Sequence, residues 1–287
     1  MLIKADDLAE QLDKPDLVVV DCRFDLLRPD AGRQAWAKGH IPGAFYADLD
    51  KHLAAPKTAE SGRHPLPDPE QFAVVLARWG ITPATLVVAY DSAGGAVAAR
   101  LWWLLRWVGH EQVALLDGGY PAWLEARLPV SNGSPQPSQG RYPVQPGAMP
   151  VISADEVQAG LADNTLTLID ARDKARFAGV AEPIDTLAGH IPGAINRPFQ
   201  SNLDATGRFR AEADLYDSFG TLRIAAGQRV ASMCGSGVTA CHNLFAMEVA
   251  DAHPGDQQPP ALYVGSWSEW IRQAGRPIAT VTQDTGT

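Results

Sequence analysis

The sequence repeats its own landmarks once, in the same order. The heptapeptide KGHIPGA at 38–44 returns as AGHIPGA at 188–194. Two further landmarks, an apolar run ending in Asp-x-Arg and a segment ending in tryptophan, recur at nearly the same spacing: 17–24 matches 166–173, and 116–123 matches 263–270. Because this period is far longer than that of a solenoid, the pattern predicts one domain fold used twice.

A segment rich in Pro, Gly, Ser and Gln separates the two copies, which is typical of a linker. We therefore predict an N-terminal domain at 1–133, a linker at 134–149 and a C-terminal domain at 150–287. In each copy, short β-branched runs alternate with helical stretches, and such apolar strands favour a parallel sheet covered on both faces. The expected fold class is α/β, with two tandem domains, each a mainly parallel sheet flanked by helices.

Composition excludes several classes of partner. The 287 residues include 24 Lys and Arg against 33 Asp and Glu, a net charge of −9, so we expect neither nucleic acid nor an anionic membrane as a partner. An acidic N-terminus without an apolar run indicates no secretory signal. The three cysteines, Cys22, Cys234 and Cys241, form no disulfide or zinc pattern. The sequence therefore predicts a cytoplasmic protein with reduced thiols and no metal.

The loop with the strongest chemical signal is Cys234-Gly-Ser-Gly-Val-Thr239, between a strand-like run at 229–233 and a helix-like stretch at 240–248. Its two glycines let successive backbone N–H groups point inward as an anion-binding nest, and the helix adds its positive end. That field favours the thiolate, which is the nucleophilic form of cysteine. A buried structural thiol is the alternative, but the position at the end of a strand favours a nucleophile.

The corresponding loop of the first copy, 90–96, carries Asp91 where the second copy carries Cys234. An aspartate surrounded by backbone N–H groups would be stabilised as an anion, which is a structural use of the same nest. We therefore predict that the N-terminal domain is catalytically inactive and that the C-terminal domain carries the activity.

Taken together, the tandem domains, the paired His-Ile-Pro-Gly-Ala turns and the CGSGVTA loop at 234–240 resemble the two-domain rhodanese superfamily. The loop is most similar to that of 3-mercaptopyruvate sulfurtransferases, since thiosulfate sulfurtransferases usually carry basic residues at the positions of Gly235 and Ser236. The resemblance implies that Cys234 takes sulfur from 3-mercaptopyruvate as a persulfide. It then passes the sulfur to a small thiol, thioredoxin or cyanide, without a cofactor.

The resemblance also implies residues that bind the substrate. Arg176 matches the position of an arginine that binds the donor, and a guanidinium suits a carboxylate; the loop would contribute Gly235, Gly237, Val238 and Thr239. The mercaptopyruvate enzymes have a second arginine shortly after a Glu-Pro pair, but here Glu182-Pro183 is followed by Ile184-Asp185. That arginine is expected to be missing, so thiosulfate stays open as an alternative donor. Arg172, which matches Arg23, is interpreted as part of a structural ion pair.

The resemblance to the mercaptopyruvate enzymes also implies a proton relay of a serine, a histidine and an acid, which has been likened to that of serine proteases. By position, these residues would be Ser236, His40 and Asp30, and they could move a proton during sulfur transfer. His40 recurs as His190, however, and a hydrogen bond that stabilises the turn explains both copies equally well. The remaining histidines have no metal-ligand spacing and are assigned little chemistry: His52, His64, His110, His242 and His253.

Two other functions compete with sulfur transfer. A rhodanese-like phosphatase needs Cys-x5-Arg, and Ala240 stands where that arginine would be. A non-catalytic sulfur-carrier or regulatory module is the alternative from another class. The joint presence of Cys234 and Arg176 favours an enzyme.

Overall fold

The structure is a computed structural model, which describes residues 1–137, 140–222, 224–252 and 259–281. The chain forms two compact units. Unit 1 comprises Met1–Ala55, Leu66–Met149 and Leu203–Phe209; unit 2 comprises Pro56–Pro65, Pro150–Asn202 and the described residues from Arg210 onward. Each unit therefore includes a short segment from the other half of the sequence, which a division at the linker does not anticipate. His253 lies outside the described residues.

Unit 1 is built on a parallel five-stranded sheet in the order β1-β5-β4-β2-β3. Its strands are β1 Leu2–Ile3, β2 Leu17–Asp21, β3 Phe45–Tyr46, β4 Leu86–Tyr90 and β5 Val113–Leu116. Its helices are α1 Ala5–Ala9, α2 Ala31–Lys38, α3 Leu49–His52, α4 Pro69–Arg78, α5 Ala98–Trp107 and α6 Gly119–Glu125. The parallel order with intervening helices matches the predicted α/β class.

Unit 2 repeats this plan with a parallel four-stranded sheet in the order β7-β6-β8-β9. Its strands are β6 Leu166–Asp170, β7 Ile195–Asn196, β8 Arg229–Met233 and β9 Ala261–Leu262. Its helices are α7 Ala154–Ala162, α8 Lys174–Ala178, α9 Glu212–Gly220, α10 Ala240–Val249 and α11 Ser266–Trp270, with a 3-10 turn at Phe199–Asn202. The tandem repeat predicted from the sequence is confirmed.

The two Asp-x-Arg landmarks are buried ion pairs, as predicted for Arg172 and Arg23. Arg172 Nη2 lies 2.7 Å from Asp170 Oδ2, and Arg23 Nη2 lies 2.6 Å from Asp21 Oδ2. In unit 2 the same nitrogen donates to the carbonyl of Gly189, at 2.8 Å, so the pair ties the end of β6 to the His-Ile-Pro-Gly-Ala turn. These arginines are therefore committed to the scaffold in both copies.

Within the described ranges, every helix is too short or too polar to span a bilayer.

Candidate active site

Cys234 is the first residue after β8, a strand flanked by β6 and β9 within the sheet of unit 2. Its backbone N–H donates to Ser266 Oγ at 3.1 Å, and its carbonyl accepts from the N–H of Trp267 at 3.0 Å. The residue is 2% exposed. Backbone contacts with the start of α11 therefore fix the cysteine at the carboxyl edge of the sheet, where parallel α/β sheets bind ligands.

Other groups closely approach both glycines of the loop, and at Gly237 the backbone conformation also requires glycine. Gly237 has φ +76°, and a Cβ there would lie 2.5 Å from the carbonyl oxygen of Val264. A Cβ at Gly235 would lie 2.7 Å from Arg63 Nη2 and 3.4 Å from Arg176 Nη2. Two guanidinium groups therefore fill the space that a side chain at position 235 would need.

The sulfur of Cys234 accepts one hydrogen bond from the loop, from the N–H of Ser236 at 3.5 Å. The corresponding loop of unit 1 makes more hydrogen bonds to its side chain. There the Asp91 carboxylate accepts hydrogen bonds of 2.7 to 2.9 Å from four backbone N–H groups, those of Ala93, Gly95, Val97 and Ala98. The structural role predicted for Asp91 is confirmed. A carboxylate reaches further from the backbone than a single sulfur, so it meets amides that Sγ alone does not.

The histidine that contacts the loop serine is His64. Its Nδ1 lies 2.7 Å from Ser236 Oγ, and both side chains are buried. His64 belongs to Pro56–Pro65, the segment from the first half of the sequence that is part of unit 2. The sequence pattern, which assigned little chemistry to this histidine, gave no sign of this contact.

The two other residues suggested for the relay lie in unit 1. The ring nitrogens of His40 lie 2.7 Å from the carbonyl of Trp36 and 3.1 Å from that of Gly133, and the ring stacks on Trp36. Its counterpart His190 likewise contacts the carbonyl of Phe177, at 2.9 Å. These contacts agree with the turn-stabilising alternative. Asp30 is exposed and precedes α2.

The arginine assigned to the donor, Arg176, lies beside the loop in a network of opposite charges. Its Nε lies 3.0 Å from both carboxylate oxygens of Glu182, and its Nη2 lies 3.0 Å from Asp185 Oδ2. The other oxygen of Asp185 accepts from Arg63 Nη1. Asp185 thus bridges two guanidinium groups, and Arg63 is a second arginine beside Gly235 that the sequence pattern did not reveal.

Burial and pairing act in opposite directions on the pKa values of the two carboxylates. Burial raises the pKa of Asp185 above its usual range, although Arg63 and Arg176 oppose that shift. Burial would also raise the pKa of Glu182, but hydrogen bonds from Arg176 and from the backbone of Asp185 outweigh it, so this pKa is lowered. Glu182 is therefore the firmer anionic anchor for Arg176.

The remaining loop residues complete the turn into α10. The Val238 carbonyl accepts from the N–H of Cys241 at 3.1 Å, and that of Thr239 accepts from the N–H of His242 at 3.2 Å. Val238 is buried and Thr239 is partly exposed. In the part of the chain that the structure describes, no three His, Cys, Asp or Glu side chains are placed to hold a metal ion.

A family model described as "Rhodanese-like domain" matches residues 4–126 and 153–273. The chain belongs to the rhodanese family. A Pseudomonas aeruginosa protein provisionally named 3-mercaptopyruvate sulfurtransferase is 47% identical over 282 residues, which cover 97% of this chain and 98% of that protein. A Mycobacterium tuberculosis protein provisionally named thiosulfate sulfurtransferase SseB is 38% identical over 288 residues, with 98% of each chain covered.

Among solved structures, SseA from Escherichia coli, described as a 3-mercaptopyruvate sulfotransferase, superposes on this rhodanese with a TM-score of 0.80 at 31% identity. The match covers 93% of this chain and 99% of SseA. The resemblance stated from the CGSGVTA loop and the paired turns is confirmed. This rhodanese is an enzyme of the sulfurtransferase class.

Proposed function

We propose that this rhodanese takes sulfur from 3-mercaptopyruvate onto Cys234 and passes it to a thiol or to cyanide. The observation that carries the proposal is the loop geometry: a cysteine at the end of β8, an amide donating to its sulfur at 3.5 Å, and two guanidinium groups against the next residue, Gly235. These features favour a sulfur anion at this position. The N-terminal copy, with Asp91 in place of a cysteine, has no nucleophilic sulfur in its loop.

In the first half-reaction the Cys234 thiolate attacks the donor's sulfur, and the carbon–sulfur bond breaks with its electron pair going to carbon. The departing group is the enolate of pyruvate, which takes up the proton that the donor's thiol gives up. Cys234 is left as a persulfide anion. In the second half-reaction an acceptor such as cyanide attacks the outer sulfur, thiocyanate leaves, and the thiolate returns.

The backbone amides that bind the Asp91 carboxylate in unit 1 support the proposal that the corresponding amides of unit 2 bind a persulfide. The outer sulfur of a cysteine persulfide and a carboxylate oxygen of aspartate are the same number of bonds from Cα. By the repeat, the amides that hold Asp91 correspond to those of Ser236, Val238, Ala240 and Cys241. Of these, the Ser236 amide already donates to Sγ and the Cys241 amide donates to the Val238 carbonyl. Persulfide formation would therefore bring a negative sulfur toward the amides of Val238 and Ala240, to which the free Sγ makes no hydrogen bond.

We assign proton transfer to Ser236 and His64, in place of the relay through His40 and Asp30. Their separation of 2.7 Å allows the pair to deliver a proton to the developing enolate. Ser236→Ala is expected to lower kcat with 3-mercaptopyruvate by about 10- to 100-fold. His40→Gln, which changes a histidine bonded to turn carbonyls, is the matched control and should retain kcat in folded protein. Equal losses in the two variants would contradict the assignment of the pair.

Thiosulfate sulfur transfer is the second candidate, and the name given to the Mycobacterium tuberculosis relative favours it. Gly235 and Ser236, where thiosulfate enzymes usually have basic residues, favour 3-mercaptopyruvate. Steady-state kinetics with both donors and cyanide test the choice. We expect the higher kcat/KM with 3-mercaptopyruvate, and the reverse order would assign the enzyme to thiosulfate.

A direct test of the mechanism is mass spectrometry of the protein after treatment with 3-mercaptopyruvate and removal of excess donor. The expected result is a gain of one sulfur atom on the peptide containing Cys234, lost again on adding cyanide as thiocyanate forms. Absence of both the added sulfur and thiocyanate, with 3-mercaptopyruvate and also with thiosulfate as donor, would indicate a non-catalytic module instead.

The acceptor in the cell and the location are also proposals. We propose small thiols or thioredoxin as acceptors, because a persulfide is discharged by an attacking thiolate. A cytoplasmic location is supported by three cysteines that are all unpaired, as expected in a reducing compartment. Cell fractionation with an antibody against the protein tests the location.

A further inference from the structure

We infer that Arg63 supplies the second guanidinium for the donor's carboxylate and so takes the place of the arginine expected after Glu182-Pro183. The inference rests on the proposed function and adds to it a residue that determines donor specificity. Arg63 lies far from that pair in the sequence but belongs to unit 2 through the segment Pro56–Pro65.

Arg63 is held in a defined position beside the cysteine loop. Its backbone N–H donates to Ser268 Oγ of α11 at 3.0 Å, and the preceding residue Gly62 packs so closely that a Cβ would lie 2.4 Å from the carbonyl of Gly265. At the other end, Nη1 donates to Asp185 and Nη2 lies against Gly235. The side chain is 17% exposed, so this arginine is part of the site rather than of the outer surface.

The Arg63 guanidinium has more uncommitted donors than that of Arg176. Arg63 Nε is buried and has no hydrogen-bond partner among the described residues. A buried donor without an acceptor is costly, and a ligand that supplies an oxygen removes that cost. Arg176 already commits Nε and Nη2 to Glu182 and Asp185. A carboxylate with two oxygens is therefore better bound by both arginines than by Arg176 alone.

Asp185 holds the two guanidinium groups as a pair, with one oxygen on each. It also neutralises part of their charge, so loss of Arg63 would leave Asp185 to repel an anionic donor. Any test has to separate that indirect repulsion from the loss of a direct contact.

The experiment compares two donors in the intact enzyme: 3-mercaptopyruvate, and mercaptoacetone, in which a methyl group replaces the carboxylate. Arg63→Met is expected to raise KM for 3-mercaptopyruvate by about 10- to 100-fold, with kcat little changed, and to raise Ki for the competing product pyruvate equally. It should leave kcat/KM for mercaptoacetone unchanged. Arg63→Lys, which keeps the charge but loses the planar fork, should fall between.

Two further variants make the result decisive. In Arg63→Met/Asp185→Asn the charge balance is restored, so KM stays high if Arg63 contacts the carboxylate and recovers if Arg63 only neutralises Asp185. Arg272→Met is the matched control, because Arg272 anchors the same segment through the carbonyls of Thr58 and Ser61. It should retain the wild-type KM for 3-mercaptopyruvate.

Equal losses with both donors, or recovery in the double variant, would overturn the role of Arg63. Failure of the proposed function looks different, since wild-type enzyme would then gain no sulfur on Cys234 from 3-mercaptopyruvate. A wild type that forms the persulfide together with an Arg63→Met variant of unchanged KM would refute this inference alone.

Discussion

Replacing Cys234 by serine is expected to lower kcat with 3-mercaptopyruvate by at least about 10⁴-fold and to abolish sulfur uptake. The hydroxyl of serine is not ionised near neutral pH, and an oxygen cannot carry the transferred sulfur as a persulfide. The fold should survive, because the contacts of residue 234 with Ser266 and Trp267 are made by its backbone. Cyanide-dependent thiocyanate release, and the mass of the protein after treatment with the donor, measure the two effects.

The other two cysteines supply matched controls. Burial, followed by the nearby Asp91 and Asp21 carboxylates, raises the pKa of the Cys22 thiol well above its usual value, so that thiol stays neutral and unreactive. Cys241 is fully buried and its Sγ donates to the carbonyl of Gly237 at 3.4 Å. Cys22→Ala and Cys241→Ala should therefore still gain one sulfur. Sulfur uptake by the Cys234→Ser variant would show that the carrier is another residue.

The repeated landmarks predicted the fold because each one reflects an interaction or a backbone conformation that particular residues within a short stretch of sequence must provide. The Asp-x-Arg pair requires a carboxylate at the end of a strand and an arginine two residues later, and the structure shows that pair in both copies. The CGSGVTA loop predicted the position of Cys234 because only glycine suits the φ of +76° at residue 237 beside the carbonyl of Val264. Such features depend on short stretches of sequence, so one sequence reveals them.

The parts of the site that the sequence did not reveal depend on tertiary placement. Arg63 and His64 lie in Pro56–Pro65, a Pro-, Gly- and Ser-containing segment without apolar periodicity, which gives no sign that it belongs to unit 2. The assignment of His40 to the relay relied on order along the chain, and contacts with the carbonyls of Trp36 and Gly133 engage that ring elsewhere. The only sign in the sequence that this segment contributes to the site is the adjacent Arg-His pair, and such a pair in a loop is weak evidence of function.

Removal of the Asp91 side chain is expected to lower the free energy of unfolding of unit 1 by about 3 to 5 kcal/mol. Asp91 is 2% exposed, and its carboxylate accepts four backbone N–H groups at 2.7 to 2.9 Å. In Asp91→Ala those donors lose their acceptor inside the protein, where leaving them unpaired is costly. Native-state hydrogen exchange at the amides of α5, which follows the loop, reports the stability of unit 1 specifically.

Two variants show whether this effect comes from the buried nest. Asp91→Asn keeps one acceptor oxygen but loses the charge, so its loss of stability should be smaller than that of Asp91→Ala. Asp204→Ala is the matched control within unit 1, because the exposed Asp204 carboxylate also accepts backbone N–H groups, from Thr206 at 2.7 Å and Arg208 at 3.1 Å. Water can replace that acceptor, so we expect a much smaller loss. If Asp91→Ala cost no more than Asp204→Ala, the loop of unit 1 would not depend on its anion, and the comparison of Asp91 with a persulfide at Cys234 would lose its basis.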